Sequence, residues 1–349
     1  MRQLHGTDPG RPFGNRTRPR VLQVLLWYPA TDSGRPTSYE DYFHLAASEL
    51  SSTEPSAEEA AEHLLDVREM ALESGAEASL FDAFLKTRAR ARLDAEPVKK
   101  RFPLVVFSPG FGAPAFQNTV VCEYLASHGF LVAASPSVGP DSRRMPDTAE
   151  GLEAQAADIR LTIDTVAGLD ISPPEKVGLL GFSWGGMAVL LQAMNDDTVD
   201  AVAALDPTVM VNKGRLLGNR VPGFRPDRLT VPTIFMIAAA KEWKERDVSF
   251  FDELGHTESA LLRFGDFTHG DFASIIIQFF VASKPGHGGR DLDRIRIGYS
   301  TMCRYLLAFF SARLNDNSAS DRFLMARPDE LGIPEGVVEI QRNERMLAR

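Results

Sequence analysis

The sequence predicts an α/β fold in which a mostly parallel central sheet is covered by helices on both faces. Short, nearly continuous apolar runs recur between residues 102 and 264, and segments with helical periodicity separate them. Such runs are typical of parallel strands buried on both faces. A Gly-rich turn at residues 181–186 joins one run directly to a helical segment. The 349 residues, 44% hydrophobic and 24% charged, are ample for a large core.

The individual elements follow in chain order. Residues 1–20 are polar, basic and contain Gly and Pro, and the run Arg11–Arg16 is expected to be a loosely tethered N-terminus. A first strand is expected over residues 21–29, ending at a proline. Further strands are expected at residues 102–108, 130–135, 176–180, 200–205, 233–238 and 259–264, with helices near residues 116–128, 148–168 and 187–194.

Three segments lie outside this alternation. Residues 36–96 are rich in Ala, Glu, Leu and Arg with apolar residues at helical spacing, which predicts two or three helices, no strand, and an inserted cap. Residues 208–230 have no clear period and are expected to form a long loop over one edge of the sheet. Residues 288–349 are expected to form a helical C-terminal extension. We therefore expect a single domain over residues 1–349.

Charge and composition argue against several classes of function. The net charge of −9 and the pI near 5.4 disfavour nucleic acid or an anionic membrane as the main partner. No stretch is long and apolar enough to span a membrane, and no apolar leader is present, so a cytoplasmic protein and an exported one with its signal removed both stay open. No C-x-x-C or H-E-x-x-H pattern occurs, so the sequence does not support a metal site.

The two cysteines, Cys122 and Cys303, each lie in an apolar helical context. This context favours two buried free thiols. A single disulfide stays open for an exported protein.

The strongest functional signal is the sequence Gly-Phe-Ser-Trp-Gly at residues 181–185, between an expected strand and an expected helix. A G-x-S-x-G in that context is a nucleophile elbow. The tight turn lifts the Ser183 hydroxyl clear of the sheet, and the free N–H groups of the following helix favour a developing negative charge. This suits attack on an ester or another acyl carbon. The alternative is a Gly-rich turn whose serine has no chemical role, which the flanking elements disfavour.

A serine hydroxyl needs a base to take its proton and an acid to orient that base. Three histidines follow Ser183. His269 comes just after the last expected strand, at the carboxyl edge where ligands approach an open α/β sheet. His256 precedes that strand and belongs at the opposite edge, whereas His287 lies in a Gly-rich surface loop. We therefore predict that His269 is the base.

Two positions could supply the acid. Asp206 directly ends the strand after the elbow helix, so its carboxylate would project at the carboxyl edge. Glu242, Glu245 and Asp247 follow the next strand, where they belong to a mixed-charge run that is more simply a solvated surface. Position favours Asp206.

An acyl-transfer transition state also needs donors for its oxyanion, usually two backbone N–H groups. Trp184, the residue after the serine, is expected to supply one. Phe111 is expected to supply the other, because it lies between Gly110 and Gly112 in the loop after the strand at 102–108, where glycines let the backbone approach a substrate. A plain Gly-rich turn is the alternative for this loop.

Four parts of the sequence together resemble a known family. They are Leu26–Ala30, Phe102–Gly112 with Leu125–Phe130, Gly181–Gly186 and Thr268–Phe272. These segments are similar to the platelet-activating-factor acetylhydrolase-like branch of the α/β-hydrolases, whose bacterial members are often labelled dienelactone-hydrolase-like. The resemblance covers about residues 21–30 and 100–280. It implies an α/β-hydrolase fold and an acid after the strand that follows the elbow helix, at Asp206.

Ser183, His269 and Asp206 together predict a serine-dependent carboxylic ester hydrolase that needs no cofactor. The resemblance implies a short acyl ester, such as one of a phospholipid, as its small-molecule substrate, and a polymeric ester stays open as an alternative. Pro109 stands where these proteins often have a histidine, and Trp184 would narrow the acyl pocket. True dienelactone hydrolases use a cysteine, so Ser183 argues against that activity. An amidase or acyltransferase with the same residues, and a non-catalytic binding protein of this fold, remain as alternatives.

Overall fold

The computed structural model describes residues 1–13, 18–51, 53, 55–169, 174–239, 246–282 and 284–348. Within these residues the strands form a nine-stranded sheet and a separate two-stranded sheet. The strands are β1 (Arg2–Phe13), β2 (Arg18–Trp27), β3 (Arg35–Ser38), β4 (Arg88–Leu93), β5 (Leu104–Ser108), β6 (Leu131–Ala134), β7 (Val177–Phe182), β8 (Ala201–Leu205), β9 (Thr233–Ala238), β10 (Ser259–Phe264) and β11 (Val338–Arg342).

Helices connect most of these strands. The α-helices are α1 (Tyr39–Ala46), α2 (Ala57–Glu73), α3 (Ala78–Leu85), α4 (Thr119–Ser127), α5 (Ala149–Ala167), α6 (Trp184–Ala193), α7 (Asn212–Gly218), α8 (Ser249–Asp252), α9 (Ser274–Ile276), α10 (Leu292–Leu314), α11 (Ser318–Met325) and α12 (Glu344–Leu347). Short 3₁₀ segments lie at Thr208–Met210, Pro226–Arg228, His269–Phe272, Pro285–Gly289 and Asp329–Leu331, and Ile277–Ala282 is a π-helical turn.

The large sheet has the strand order β1-β2-β6-β5-β7-β8-β9-β10-β11. The strands from β6 to β10 in this order pair in parallel, while β1, β2 and β11 are antiparallel to their neighbours at the edges. Alternate residues of β5 face opposite sides: Leu104 and Val106 pack with α5 and α6, and Val105 and Phe107 pack with α4 and α10. The predicted α/β fold, parallel at its centre and covered on both faces, is confirmed.

The prediction that residues 36–96 contain no strand is wrong. Of the two or three helices expected, three are present as α1, α2 and α3, but β3 precedes them, β4 follows them, and these two strands pair with each other. The sequence Arg-Ala-Arg-Ala-Arg-Leu of β4 alternates with a period of two, and the helical composition around it obscures that signal. Because β3 and β4 pair with each other, the two ends of this segment lie side by side in a sheet separate from the large one.

Both ends of the chain also differ from expectation. The N-terminal residues are not loosely tethered, because β1 pairs with β2 along its length. The glycines and prolines of β1 are unusual in strands, so the sequence does not predict this pairing. Residues 14–17, which include the end of the Arg11–Arg16 run, lie outside the described residues. The C-terminal extension is not wholly helical, because β11 pairs with β10 and extends the sheet by one strand. Residues 208–230, expected as a loop, contain α7 and two 3₁₀ segments.

Two further expectations concern the cysteines and membrane spans. Cys122 and Cys303 are both buried and free, as favoured from the sequence. Burial raises the pKa of the Cys303 thiol to about 12. In the described part of the chain, no helix combines the length and apolar character needed to cross a bilayer.

Candidate active site

The elbow predicted around Ser183 is present as a sharp turn between β7 and α6. Ser183 has φ 56° and ψ −116°, a conformation that costs a non-glycine residue strain energy. Its N–H donates to Leu205 O at 2.8 Å and its carbonyl accepts from Thr208 N at 3.0 Å, so the adjacent strand end holds the turn. A Cβ on Gly185 would lie 2.2 Å from Ser108 O. The small residue therefore lets α6 start directly against the end of β5.

His269 reaches the serine from the loop after β10. It begins the 3₁₀ turn at 269–272, whose start is capped by Thr268 and Asp271, and Arg290 pairs with Asp271 at 2.6 Å. His269 Nε2 lies 2.9 Å from Ser183 Oγ. The imidazole packs on the Phe182 ring with 4.8 Å between centroids. Sequence reasoning placed this histidine at the carboxyl edge of the sheet, and the structure brings it to the serine there.

Asp206 lies on the other side of the imidazole. It follows β8 with φ 42°, and its side chain is 3% exposed. Its Oδ2 is 2.6 Å from His269 Nδ1, and its Oδ1 accepts from Ala238 N at 3.0 Å. Because an ionised carboxylate can only accept, this contact assigns the proton to Nδ1 and leaves Nε2 free to accept from the Ser183 hydroxyl.

Of the other candidates from the sequence, those that the structure describes lie elsewhere. Asp247 Oδ1 accepts from Ser249 N at 2.9 Å at the start of α8, and Glu242 and Glu245 lie outside the described residues. His256 Nε2 lies 3.1 Å from Leu229 O, before β10 begins. His287 is exposed in the 3₁₀ segment at 285–289.

Arg246 is a residue of the site that sequence reasoning missed. Its Nη2 donates to Asp206 Oδ1 at 2.6 Å, and its side chain is 16% exposed. A β-bridge between Val211 and Arg246 fixes its backbone beside the segment after β8. The mixed-charge run around Arg246 gives no local signal for this contact, because the two residues lie 40 positions apart in the sequence. Arg246 neutralises part of the charge on a buried carboxylate.

Phe111 and Trp184 lie together beside the serine. Their rings meet edge to face with centroids 5.4 Å apart, and both line the cavity that holds Ser183. Trp184 opens α6, and an N–H in the first turn of a helix has no intrahelical acceptor. Among the described residues, neither the Phe111 N–H nor the Trp184 N–H donates a hydrogen bond to the chain. The roles predicted for these two groups stay predictions.

The cavity at Ser183 has a volume of about 390 Å³. Its walls are mostly apolar, and Lys213 pairs with Asp147 at its border. The segment after β8 supplies much of the lining: Pro207, Thr208, Val211, Lys213, Gly214 and Leu217. No described residue of 36–96 lines it. No group of three or more His, Cys, Asp or Glu among the described residues is arranged to hold a metal ion.

Comparisons with known proteins place this architecture. The search of curated proteins finds no match. Among solved structures, a ferulic acid esterase from Streptomyces cinnamoneus superposes with a TM-score of 0.65 at 19% sequence identity, over 98% of this chain and 95% of that one. At that identity the likeness concerns the fold. A model described as "Alpha/beta hydrolase family" matches residues 105–331, well over half of the sequence. The chain belongs to the alpha/beta hydrolase family.

Proposed function

We propose that the protein is a serine-dependent carboxylic ester hydrolase. The observation that carries this proposal is the line of contacts from Ser183 Oγ to His269 Nε2 at 2.9 Å and from His269 Nδ1 to Asp206 Oδ2 at 2.6 Å. This is the arrangement in which a base activates a hydroxyl and an acid orients the base.

In the proposed reaction, Ser183 Oγ attacks the ester carbonyl while His269 Nε2 takes the hydroxyl proton. Asp206 stabilises the imidazolium that results. The N–H groups of Phe111 and Trp184 bind the oxyanion of the tetrahedral intermediate. His269 then gives its proton to the leaving alcohol, and a water, with the same histidine as base, hydrolyses the acyl-enzyme.

The cavity indicates what kind of ester fits. Phe111, Trp184, Val211 and Leu217 make its wall apolar, and the cation Lys213 is already paired with Asp147. This favours an uncharged acyl group of modest size. Short acyl esters, of the kind implied by the resemblance to acetylhydrolases, fit this description. Aromatic acyl esters belong in the same test set, because the similar solved structure is a ferulic acid esterase.

The test is a hydrolysis panel that varies acyl length, alcohol size and charge, with matched amides as a second series. We expect ester hydrolysis by the wild type and stoichiometric labelling by an organophosphonate. Ser183→Ala should lose both. The matched control is Ser127→Ala, an exposed serine on α4 whose hydroxyl bonds to Tyr124 O, and it should behave as wild type. Hydrolysis or labelling that survives in Ser183→Ala would refute the proposal.

A further inference from the structure

The loop after β5 has few backbone donors, and two of them are already used. We call residues Pro109–Gly112 the oxyanion loop. Pro109 has no N–H. The Gly110 N–H donates to Gln117 Oε1 at 2.7 Å, and the Gly112 N–H donates to Ser137 Oγ at 3.1 Å. Within the described residues, the Phe111 N–H between them is left without an acceptor in the chain. The loop thus offers the Ser183 cavity one backbone donor at a defined position.

A buried glutamine of α5 ties the two ends of this loop together. Gln155 Nε2 donates to Pro109 O at 2.8 Å and to Ser108 Oγ at 2.8 Å. Its Oε1 accepts from the Ser137 hydroxyl at 2.7 Å. Because Pro109 O can only accept, the orientation of the Gln155 amide is fixed, and the Ser137 proton then points towards Gln155. Ser137 Oγ keeps its lone pairs for the Gly112 N–H.

This network is shielded from water. Gln155 is 2% exposed, Ser137 1% and Gln117 6%. Buried hydrogen bonds are electrostatically stronger than exposed ones, and breaking one leaves a polar group unsatisfied, so such a network holds its members in one arrangement. Gln117 also reaches the histidine side of the site, since its backbone carbonyl accepts from Ile275 N at 3.2 Å. The oxyanion loop and the histidine segment therefore share one support.

We propose that Gln155, Ser137 and Gln117 are positioning residues for ester hydrolysis. Gln117 and Ser137 occupy the N–H groups on the two sides of Phe111, and Gln155 binds Pro109 O and the Ser137 hydroxyl. Together they hold the oxyanion loop so that the Phe111 N–H faces the developing oxyanion. None of them lines the Ser183 cavity. The inference rests on the proposed function and deepens it, because it names the residues that determine how well the tetrahedral intermediate is stabilised.

The test compares Gln155→Met and Ser137→Ala with Thr162→Val. Thr162 lies on the same helix, is buried, and bonds to Ser135 Oγ at 3.0 Å and Asp158 O at 2.8 Å, away from the loop. The readouts are kcat, KM and the ratio of rates on an ester and its thionoester, whose sulfur accepts hydrogen bonds poorly. A misplaced oxyanion donor should lower kcat about 10- to 100-fold with KM within about threefold.

In Gln155→Met and Ser137→Ala we also expect the ratio of the ester rate to the thionoester rate to fall. A misplaced donor slows the ester more, because the oxyanion of the ester depends on that hydrogen bond more than the thionoester sulfur does. Thr162→Val should keep the wild-type kcat and ratio even where its unfolding midpoint drops. Wild-type kcat and ratio in Gln155→Met and Ser137→Ala, or a change in KM alone, would overturn the inference. Should Gln155→Met fail to fold, Ser137→Ala decides by itself. A wild type that neither hydrolyses esters nor labels at Ser183 would instead overturn the proposed function, and this inference with it.

Discussion

Residues 206–218 and residues 36–96 both lie outside the parallel strands, yet they stand in opposite relation to Ser183. The first segment bonds to the Ser183 backbone through Thr208 and supplies about half of the cavity lining. The second is far longer and strongly helical, and none of its described residues reaches the cavity. Helical periodicity reveals a helix but not what it covers. A position directly after a parallel strand better predicts which residues reach the site, because the carboxyl ends of such strands meet at one edge of the sheet.

The two segments also differ in how they are anchored. Within 36–96, α1 is held by Tyr42, whose hydroxyl accepts from Trp27 Nε1 at 2.8 Å and donates to Glu123 Oε1 at 2.8 Å. Helix α2 is an outer layer in which Leu65 is 67% and Met70 50% exposed. A separate cavity of about 680 Å³ lies among α1, α2 and α3. That 36–96 acts as a cap over the substrate stays a prediction.

The largest expected effect is that of Asp206→Asn, at the start of the first segment. An amide nitrogen in place of Oδ2 would face His269 Nδ1 and favour the wrong imidazole tautomer, so kcat should fall about 10⁴-fold. Steady-state ester hydrolysis measures it. Asp247→Asn is the matched control at the alternative acid position. It should keep kcat within about threefold, because its carboxylate accepts from Ser249 N at the start of α8 and lies 4.0 Å from Arg215 Nε, and neither contact involves His269. The reverse result would assign the acid to Asp247.

Gly214→Ala should have the next largest effect. A Cβ there would lie 1.7 Å from Thr208 O, so α7 must shift and pull on the residue that bonds to the Ser183 carbonyl. We expect the free energy of unfolding to fall by about 1–3 kcal/mol and kcat/KM by about 10- to 100-fold. Denaturant unfolding and ester kinetics measure the two losses. Gly255→Ala is the control, because no neighbouring atom lies within 4 Å of its new Cβ. Its free energy of unfolding and its kcat/KM should both equal those of the wild type. An unchanged kcat/KM in Gly214→Ala would mean that the position of α7 does not affect catalysis at Ser183.

The same contrast explains how far the sequence could predict the site. Ser183, Asp206 and His269 each stand at the end of a strand that is recognisable from local pattern, so their meeting follows from the topology of a parallel sheet. Arg246 could not be found in this way, since it contacts Asp206 across 40 positions of sequence and does not itself end a strand. The pairing of β11 with β10 likewise joins residues that lie far apart in the sequence.

Leu217→Ala should change selectivity rather than chemistry. Leu217 lines the Ser183 cavity from α7, so truncating it enlarges the space for the substrate. The ratio of kcat/KM for a longer acyl ester to that for an acetyl ester should rise about tenfold, which is the usual effect of one or two methylenes in an apolar pocket. The neighbouring Leu216 is 61% exposed and does not line the cavity, so Leu216→Ala should leave the ratio unchanged. Equal ratios in both variants would mean that the acyl group binds elsewhere.

The smallest effect on activity is expected at Glu49, where residues 36–96 contact Ala115 just after the oxyanion loop. Glu49, just after α1, is 1% exposed and accepts from Ala115 N at 3.0 Å and from Arg143 Nη2 at 2.8 Å. Glu49→Gln keeps an oxygen for the Ala115 N–H, so kcat should change by less than about threefold. Leu65→Gln on the exposed side of α2 is the control. It should leave kcat unchanged and shift the free energy of unfolding by no more than about 0.5 kcal/mol.

Stability should nevertheless respond to pH at Glu49 in a defined direction. Burial raises the pKa of this carboxyl from its ordinary value of 4.5, although Arg143 and the Ala115 N–H act against the shift. The folded protein thus holds the Glu49 proton more tightly than the unfolded chain. The resulting stabilisation is complete below the unfolded pKa and is lost as pH rises through the folded pKa. Glu49→Gln lacks this loss, so its free energy of unfolding relative to wild type should rise with pH from about pH 4 and then level off. A relative stability that falls over the same range would mean that the Arg143 ion pair outweighs the burial of Glu49.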